Sequence, residues 1–153
     1  MKNFSEIQSL MKSDMEKTDE ILIDRLDSNV DLINQMSHYI IASGGKRLRP
    51  LLLLLSARAT NYVGTDHHAM AVVIELIHTA TLLHDDVVDE STTRRGQDTA
   101  NELWGNAPSV LVGDFLYSRA FEIMVEPNSM AIMRILSKAT NQIAEGEVLQ
   151  LLN

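Results

Sequence analysis

Apolar residues recur at helical spacing along almost all of this 153-residue chain, and strand-like alternation is hard to find. Breaks are few and far apart: Ser43-Gly44-Gly45, Asn61 to Asp66, Gly105 to Pro108, and Pro127-Asn128-Ser129. Between them the pattern predicts helices over 5–27, 30–42, 48–61 and 66–90, a short one over 98–104, then 108–126 and 129 to the end. Residues 91–98 read as a polar loop. Ser43-Gly44-Gly45 stops the second helix, with Gly in its usual place just past the end. Pro50 is tolerated in a first turn, and Thr65 or Asp66 is an expected N-cap. The fold class is therefore all-α: a helical bundle, read as one domain over 1–153, with no repeat and no linker.

Charge and composition narrow the function. A net charge of −8 excludes a general nucleic-acid binder. The absence of cysteine excludes disulfides, thiolate metal sites and a cysteine nucleophile. The first residues carry charges throughout and form no signal peptide. The Leu51–Leu55 run is far too short for a transmembrane segment. A cytoplasmic location is expected.

The stretch His78 to Gly96, HTATLLHDDVVDESTTRRG, breaks the apolar pattern with three aspartates. Asp85 and Asp89 are four apart and share a helix face, with Asp86 at its edge. Like charges so placed repel. A hard divalent cation offsets that repulsion, and Mg²⁺ binds through one or two carboxylates together with substrate phosphates. Arg94 and Arg95 follow, and guanidinium forks suit phosphate oxygens. The alternative is a solvated acidic helix end followed by a basic loop.

A second feature is Gly44-Gly45-Lys46-Arg47-Leu48-Arg49-Pro50. Two glycines free the backbone to approach an anion, and a helix N-terminus supplies N–H groups and a positive dipole end. Lys46 and Arg49, three apart, can face one way while Arg47 points elsewhere. The alternative is a helix stop with a solvated basic turn. His78 lies two turns before Asp85, about 10 Å away along the helix: too far to share a metal, but suited to a second phosphate group. On an apolar helix a histidine is otherwise a core or capping residue. His84 adjoins the aspartates but points about 100° away. His67 and His68 read as decoration of a helix start.

Taken in order, these pieces resemble the trans-isoprenyl diphosphate synthases. That family's DDxxD motif matches Asp85, Asp86 and Asp89. Its arginine pair and glycine match Arg94, Arg95 and Gly96, and its GGKRxRP signature matches Gly44 to Pro50. Gly105 to Phe121, GNAPSVLVGDFLYSRAF, is similar to its next helix. The resemblance implies an isoprenoid-synthase-type bundle and a Mg²⁺-dependent prenyltransferase. Asp85 and Asp89, helped by Asp86, would hold Mg²⁺ on the allylic prenyl diphosphate, and Arg94 would contact that diphosphate. Lys46, Arg49, His78 and Arg95 would bind isopentenyl diphosphate. A homodimer is expected; Val110, Leu111, Val112, Phe115, Leu116 and Phe121 make the 108–126 helix apolar on much of its circumference, which suits a core or that interface alike.

In this family bulk just before the first aspartate closes the product pocket. Ala80 and Thr81 are small, which implies a long, octaprenyl-type chain for quinone side chains. Met124 and Leu136 are candidate floor residues, with ordinary core packing as the alternative. The family's second aspartate-rich motif is not found within residues 1–153, so the chain is expected to be an N-terminal half without turnover of its own. Three competing readings remain. His84-Asp85 is an HD pair like those of HD-type metal phosphohydrolases. A non-catalytic partner subunit of a synthase is also helical. A terpene cyclase shares an aspartate-rich site.

Overall fold

The structure, a computed structural model, describes residues 3–152. It comprises α1 (Phe4–Leu10), α2 (Lys12–Leu26), α3 (Asp31–Ala42), α4 (Leu48–Ala59), α5 (Asp66–Val88), a hairpin of β1 (Thr93–Arg94) and β2 (Gln97–Asp98), then α6 (Ala100–Trp104), α7 (Asn106–Met124) and α8 (Met130–Gln150). The expected all-α class is met.

Helix α5 is the axis. Its 23 residues are apolar on most of their circumference, which predicts burial on more than one side. One side joins the main core, where Val72, Val73, Leu76, Ala80 and Leu83 meet Leu22 and Leu26 of α2, Met36 of α3, and Val112, Leu116, Ala120 and Ile123 of α7. The other presents Ala71 to a smaller cluster with Met11, Leu51 and Leu54. Burying a side chain such as Leu54 contributes about 1.5–3 kcal/mol.

Three expectations need correction. The helix predicted over 5–27 is two helices that part at Met11. Met11 is fully buried against Leu51, Leu54 and Ala71. A straight helix would have to give up that packing; instead the backbone turns, and the Met11 N–H is shared between the carbonyls of Ile7 and Gln8. The loop predicted over 91–98 contains the β1–β2 hairpin. Its turn residues Arg95 and Gly96 both have positive φ, as a type I′ turn requires. Helix α7 begins at Asn106 rather than 108 and ends at Met124. Elsewhere the stops fall as read: α3 is closed by Ser43, with Gly44 following at positive φ.

α5 and α7 approach closely because Gly113 has no side chain. The His84 ring lies over it, and a Cβ there would sit 2.7 Å from His84 Cδ2. His84 Nε2 donates to the Val110 carbonyl at 3.1 Å and stands 3.4 Å from Asp114. Alanine is intrinsically better than glycine in a helix interior by roughly 0.5–1 kcal/mol, so the ring decides the sign. Gly113→Ala is expected to stabilise a His84→Ala background and to lose that gain when His84 is present. The coupling should be about 1 kcal/mol or more in a urea double-mutant cycle, and additive effects would contradict the contact.

Candidate functional site

The sequence signals of three separate segments meet at one cleft of about 590 Å³. Its wall includes Gly44, Gly45 and Lys46 from the α3–α4 turn, Arg49 from the first turn of α4, His78 and Asp86 from α5, and Arg94 and Arg95 from the hairpin.

The basic turn owes its shape to Arg47, which adopts a left-handed backbone conformation (φ +48°) as the N-cap of α4. Its side chain turns inward to Asp19 of α2 at 2.5 Å, with Glu75 of α5 at 3.7 Å. This leaves Lys46 and Arg49 exposed beside the cleft. Burial pushes the Glu75 carboxyl up, against the pull of Arg47, Arg49 and Arg95. Asp19 and Glu75 carry no motif, and sequence reading missed them.

Arg49 donates to His78 Nε2 at 3.0 Å. An arginine has only donors, so His78 accepts, and its own proton belongs on Nδ1. Burial, then Arg49, Arg95 and Arg94, lower the His78 pKa from the usual 6.5 to about 4. Gly45 is where Arg95 docks: a Cβ there would lie 2.9 Å from Arg95 Cζ. The glycine therefore serves a guanidinium rather than backbone freedom alone.

Asp86 and Arg94 form the floor. Asp86 is 4% exposed. It accepts from Arg94 Nε at 3.0 and 3.1 Å and from Nη2 at 2.7 Å. The hairpin that carries Arg94 is tied down further: Ser91 N–H donates to the Asp86 carbonyl, Thr99 bonds back to Ser91 and Thr92, and Tyr39 of α3 donates to the Asp98 carbonyl.

Asp85 and Asp89 are not on the cleft wall. Asp85 is half-buried and Asp89 exposed at the end of α5. Burial raises the Asp85 pKa, and Glu147 of α8 and Asp89 add to it, with Arg94 opposing. Glu147 is a second group that sequence reading missed; nothing in the local sequence says that α8 returns to this end of α5. Among the described residues no three ligand atoms of this acidic region come within 4.8 Å of one another, so a closed protein cage is absent. That suits Mg²⁺, which takes one or two carboxylates and fills its other positions with water or phosphate oxygens.

The remaining sequence candidates lie elsewhere. Ala80 and Met124 are fully buried in the main core, and Leu136 packs against it. Thr81 donates to the His78 carbonyl. His84 is turned onto α7, and among the described residues it belongs to no group of three metal-ligating side chains.

The sequence model of one family, described as Polyprenyl synthetase, matches residues 30–153. Octaprenyl diphosphate synthase of Escherichia coli K12 is 53% identical over 151 residues, covering 99% of this chain and 47% of that protein. All-trans-nonaprenyl-diphosphate synthase (geranyl-diphosphate specific) of Rhodobacter capsulatus is 44% identical, covering 95% and 45%. A crystal structure of a polyprenyl synthase from Caulobacter crescentus CB15, complexed with calcium and isoprenyl diphosphate, superposes with a TM-score of 0.94 at 49% identity, over 97% of this chain and 45% of that one. The expected isoprenoid-synthase-type helical fold is thereby met. The chain spans about half the length of the curated relatives it matches.

The neutral state of His78 has a measurable consequence. The unfolded chain binds a proton at this residue below the usual 6.5, the folded chain only below about 4. The contribution to stability is thus complete above 6.5 and is lost as pH falls toward 4. In an NMR titration the His78 ring should titrate near 4, and Arg49→Leu should move it upward. A wild-type ring titrating at the ordinary value would refute the arrangement.

Proposed function

The chain belongs to the polyprenyl synthetase family, and from that premise we propose that the whole protein is a Mg²⁺-dependent prenyltransferase. It condenses isopentenyl diphosphate with an allylic prenyl diphosphate to give a long all-trans polyprenyl diphosphate, of octaprenyl class, for quinone side chains, and it works in the cytoplasm. The observation that carries the reading is the division of the site. One cleft collects Lys46, Arg49, His78, Arg94 and Arg95, while Asp85 and Asp89 stand apart at the helix end.

Lys46, Arg49 and Arg95 bind isopentenyl diphosphate, and His78 orients Arg49 by accepting its N–H. Arg94 uses Nε and Nη2 on Asp86, which leaves Nη1 for the allylic diphosphate. Asp85 and Asp89 would hold Mg²⁺, and the bound ion would supply charge neutralisation for the departing diphosphate. The allylic C–O bond breaks, the isopentenyl double bond forms the new C–C bond, and a proton is lost from the adduct. No covalent nucleophile is required. The apolar helices exclude water from the cation. Turnover is assigned to the whole protein.

Ala80 and Thr81, with Met124 and Leu136, are proposed to set chain length. A homodimer is part of the same reading. Val112 and Leu116 serve this chain's own core, so Val110 and Leu111, exposed on α7, are the contact residues favoured.

In the intact enzyme Asp85→Ala should lower the elongation rate by roughly 10²–10³-fold, the scale of losing one electrostatic element of a site. A radiolabelled isopentenyl diphosphate assay that finds normal turnover would reject the metal assignment. Ala80→Phe should shorten the product at a cost of about 1–3 kcal/mol in stability from overpacking. Unchanged product length by chromatography, in a variant that still turns over, would sink the chain-length assignment.

A further inference from the structure

Far from the diphosphate cleft, the folded chain collects a second set of metal-binding side chains. His67 and His68 open α5, and Asp14 comes from the first turn of α2. Their ligand atoms all lie within 4.8 Å of one another, the only such His and carboxylate trio among the described residues. Asp14 Oδ1 stands 2.9 Å from His68 Nε2 and 4.0 Å from His67 Nε2. We propose that Asp14, His67 and His68 form a binding site for a divalent transition metal of the zinc class, separate from the Mg²⁺–diphosphate site.

The geometry fits such an ion. With bonds of 2.0–2.1 Å in a tetrahedral site, neighbouring ligand atoms are about 3.3 Å apart. The separations of 2.9 and 4.0 Å from Asp14 bracket that value, so modest side-chain rotation brings both imidazoles into range. The side chains are 17% to 18% exposed, sheltered but reachable. Their orientations are already restricted. Arg58 Nε donates to Asp14 Oδ2 at 2.9 Å, which fixes the carboxylate and leaves Oδ1 toward the imidazoles. The His67 ring is held between His68, at a centroid distance of 3.9 Å, and Tyr62, at 5.4 Å edge-on.

Ligand type selects the ion. Imidazole nitrogens favour zinc, copper, nickel and cobalt, whereas Mg²⁺ prefers oxygen. The ligands are unequal. His68 is already in contact with Asp14. His67 must move closer, and its Nδ1 is buried with no partner, so a proton left there on metal binding has no acceptor. His68 and Asp14 therefore dominate affinity. Eighteen residues of α5 put His67 about 27 Å from Asp85. An ion here does not touch the reacting groups; it ties the start of α5 to α2.

The test is a Co²⁺ titration of the whole protein in excess Mg²⁺ without diphosphate, followed by visible d–d absorption. One Co²⁺ should bind with nitrogen-ligand bands. NMR should show paramagnetic broadening of the His67 and His68 rings and not of exposed His38. His68→Gln and Asp14→Asn should each weaken binding by about tenfold or more, His67→Gln by less, and Asp85→Asn and His38→Gln should leave the bands intact. No nitrogen-ligand band in the wild type, or a band that survives in folded His68→Gln, overturns the proposal. Loss of the band in Asp85→Asn also overturns it by placing the ion at the diphosphate site.

Discussion

A half-buried ion pair sets the geometry of the basic cleft. Asp86 is almost fully enclosed, and its carboxylate is taken by three hydrogen bonds from Arg94. Removing Arg94 would strand the enclosed Asp86 carboxylate without a partner, the costly way to break such a pair. Arg94 is therefore anchored, and β1 with it. The tight turn that follows carries Arg95 across to Gly45, where only a missing side chain makes room. One carboxylate thus fixes both arginines and joins the end of α5 to the turn before α4.

The same pair gives the cleft its electrostatic character. The chain as a whole carries −8, yet Lys46, Arg49, Arg94 and Arg95 line one concavity whose acidic residues are Glu75, Asp86 and Asp98. Asp86 is spent on Arg94, and Arg47 turns its charge away toward Asp19 and Glu75. His78 does not add a further charge, because burial and three arginines keep it neutral. It acts as an acceptor that holds Arg49 in place. The result is a locally cationic cleft on an acidic protein, invisible in the net charge.

What could be read from the sequence was what is encoded locally. Helical period, the Gly44 stop and the proline positions gave the helices, and motif spacing brought forward Lys46, Arg49, His78 and the two arginines. What failed depended on distant contacts. The break at Met11 follows from Leu51 and Leu54 offering a place to bury it. The hairpin is two residues per strand, too short for alternation to show. Asp19, Glu75 and Glu147 matter only because other segments fold against them. Asp14 lies more than fifty residues from His67 and His68, which on their own looked like helix-start decoration. Asp86 could be placed near the aspartate face, but its pairing could not be foreseen, since that required the hairpin.

Asp85 and Asp89 are the residues whose placement runs against local rules. They sit at the C-terminal end of α5, where the helix dipole is negative and disfavours a carboxylate by about 0.3–1 kcal/mol each. They repel one another, and Glu147 adds a third negative charge near Asp85. Asp86 escapes this strain through Arg94; among the described residues the other two carboxylates have no such hydrogen-bonded partner. Nor can the helix end relax, because the body of α5 is packed on two sides, against α7 and against α4. A chain that keeps this arrangement keeps a rigid, unbalanced negative site beside a rigid, cationic cleft. Departures from local consistency of this kind are the ones expected at functional sites.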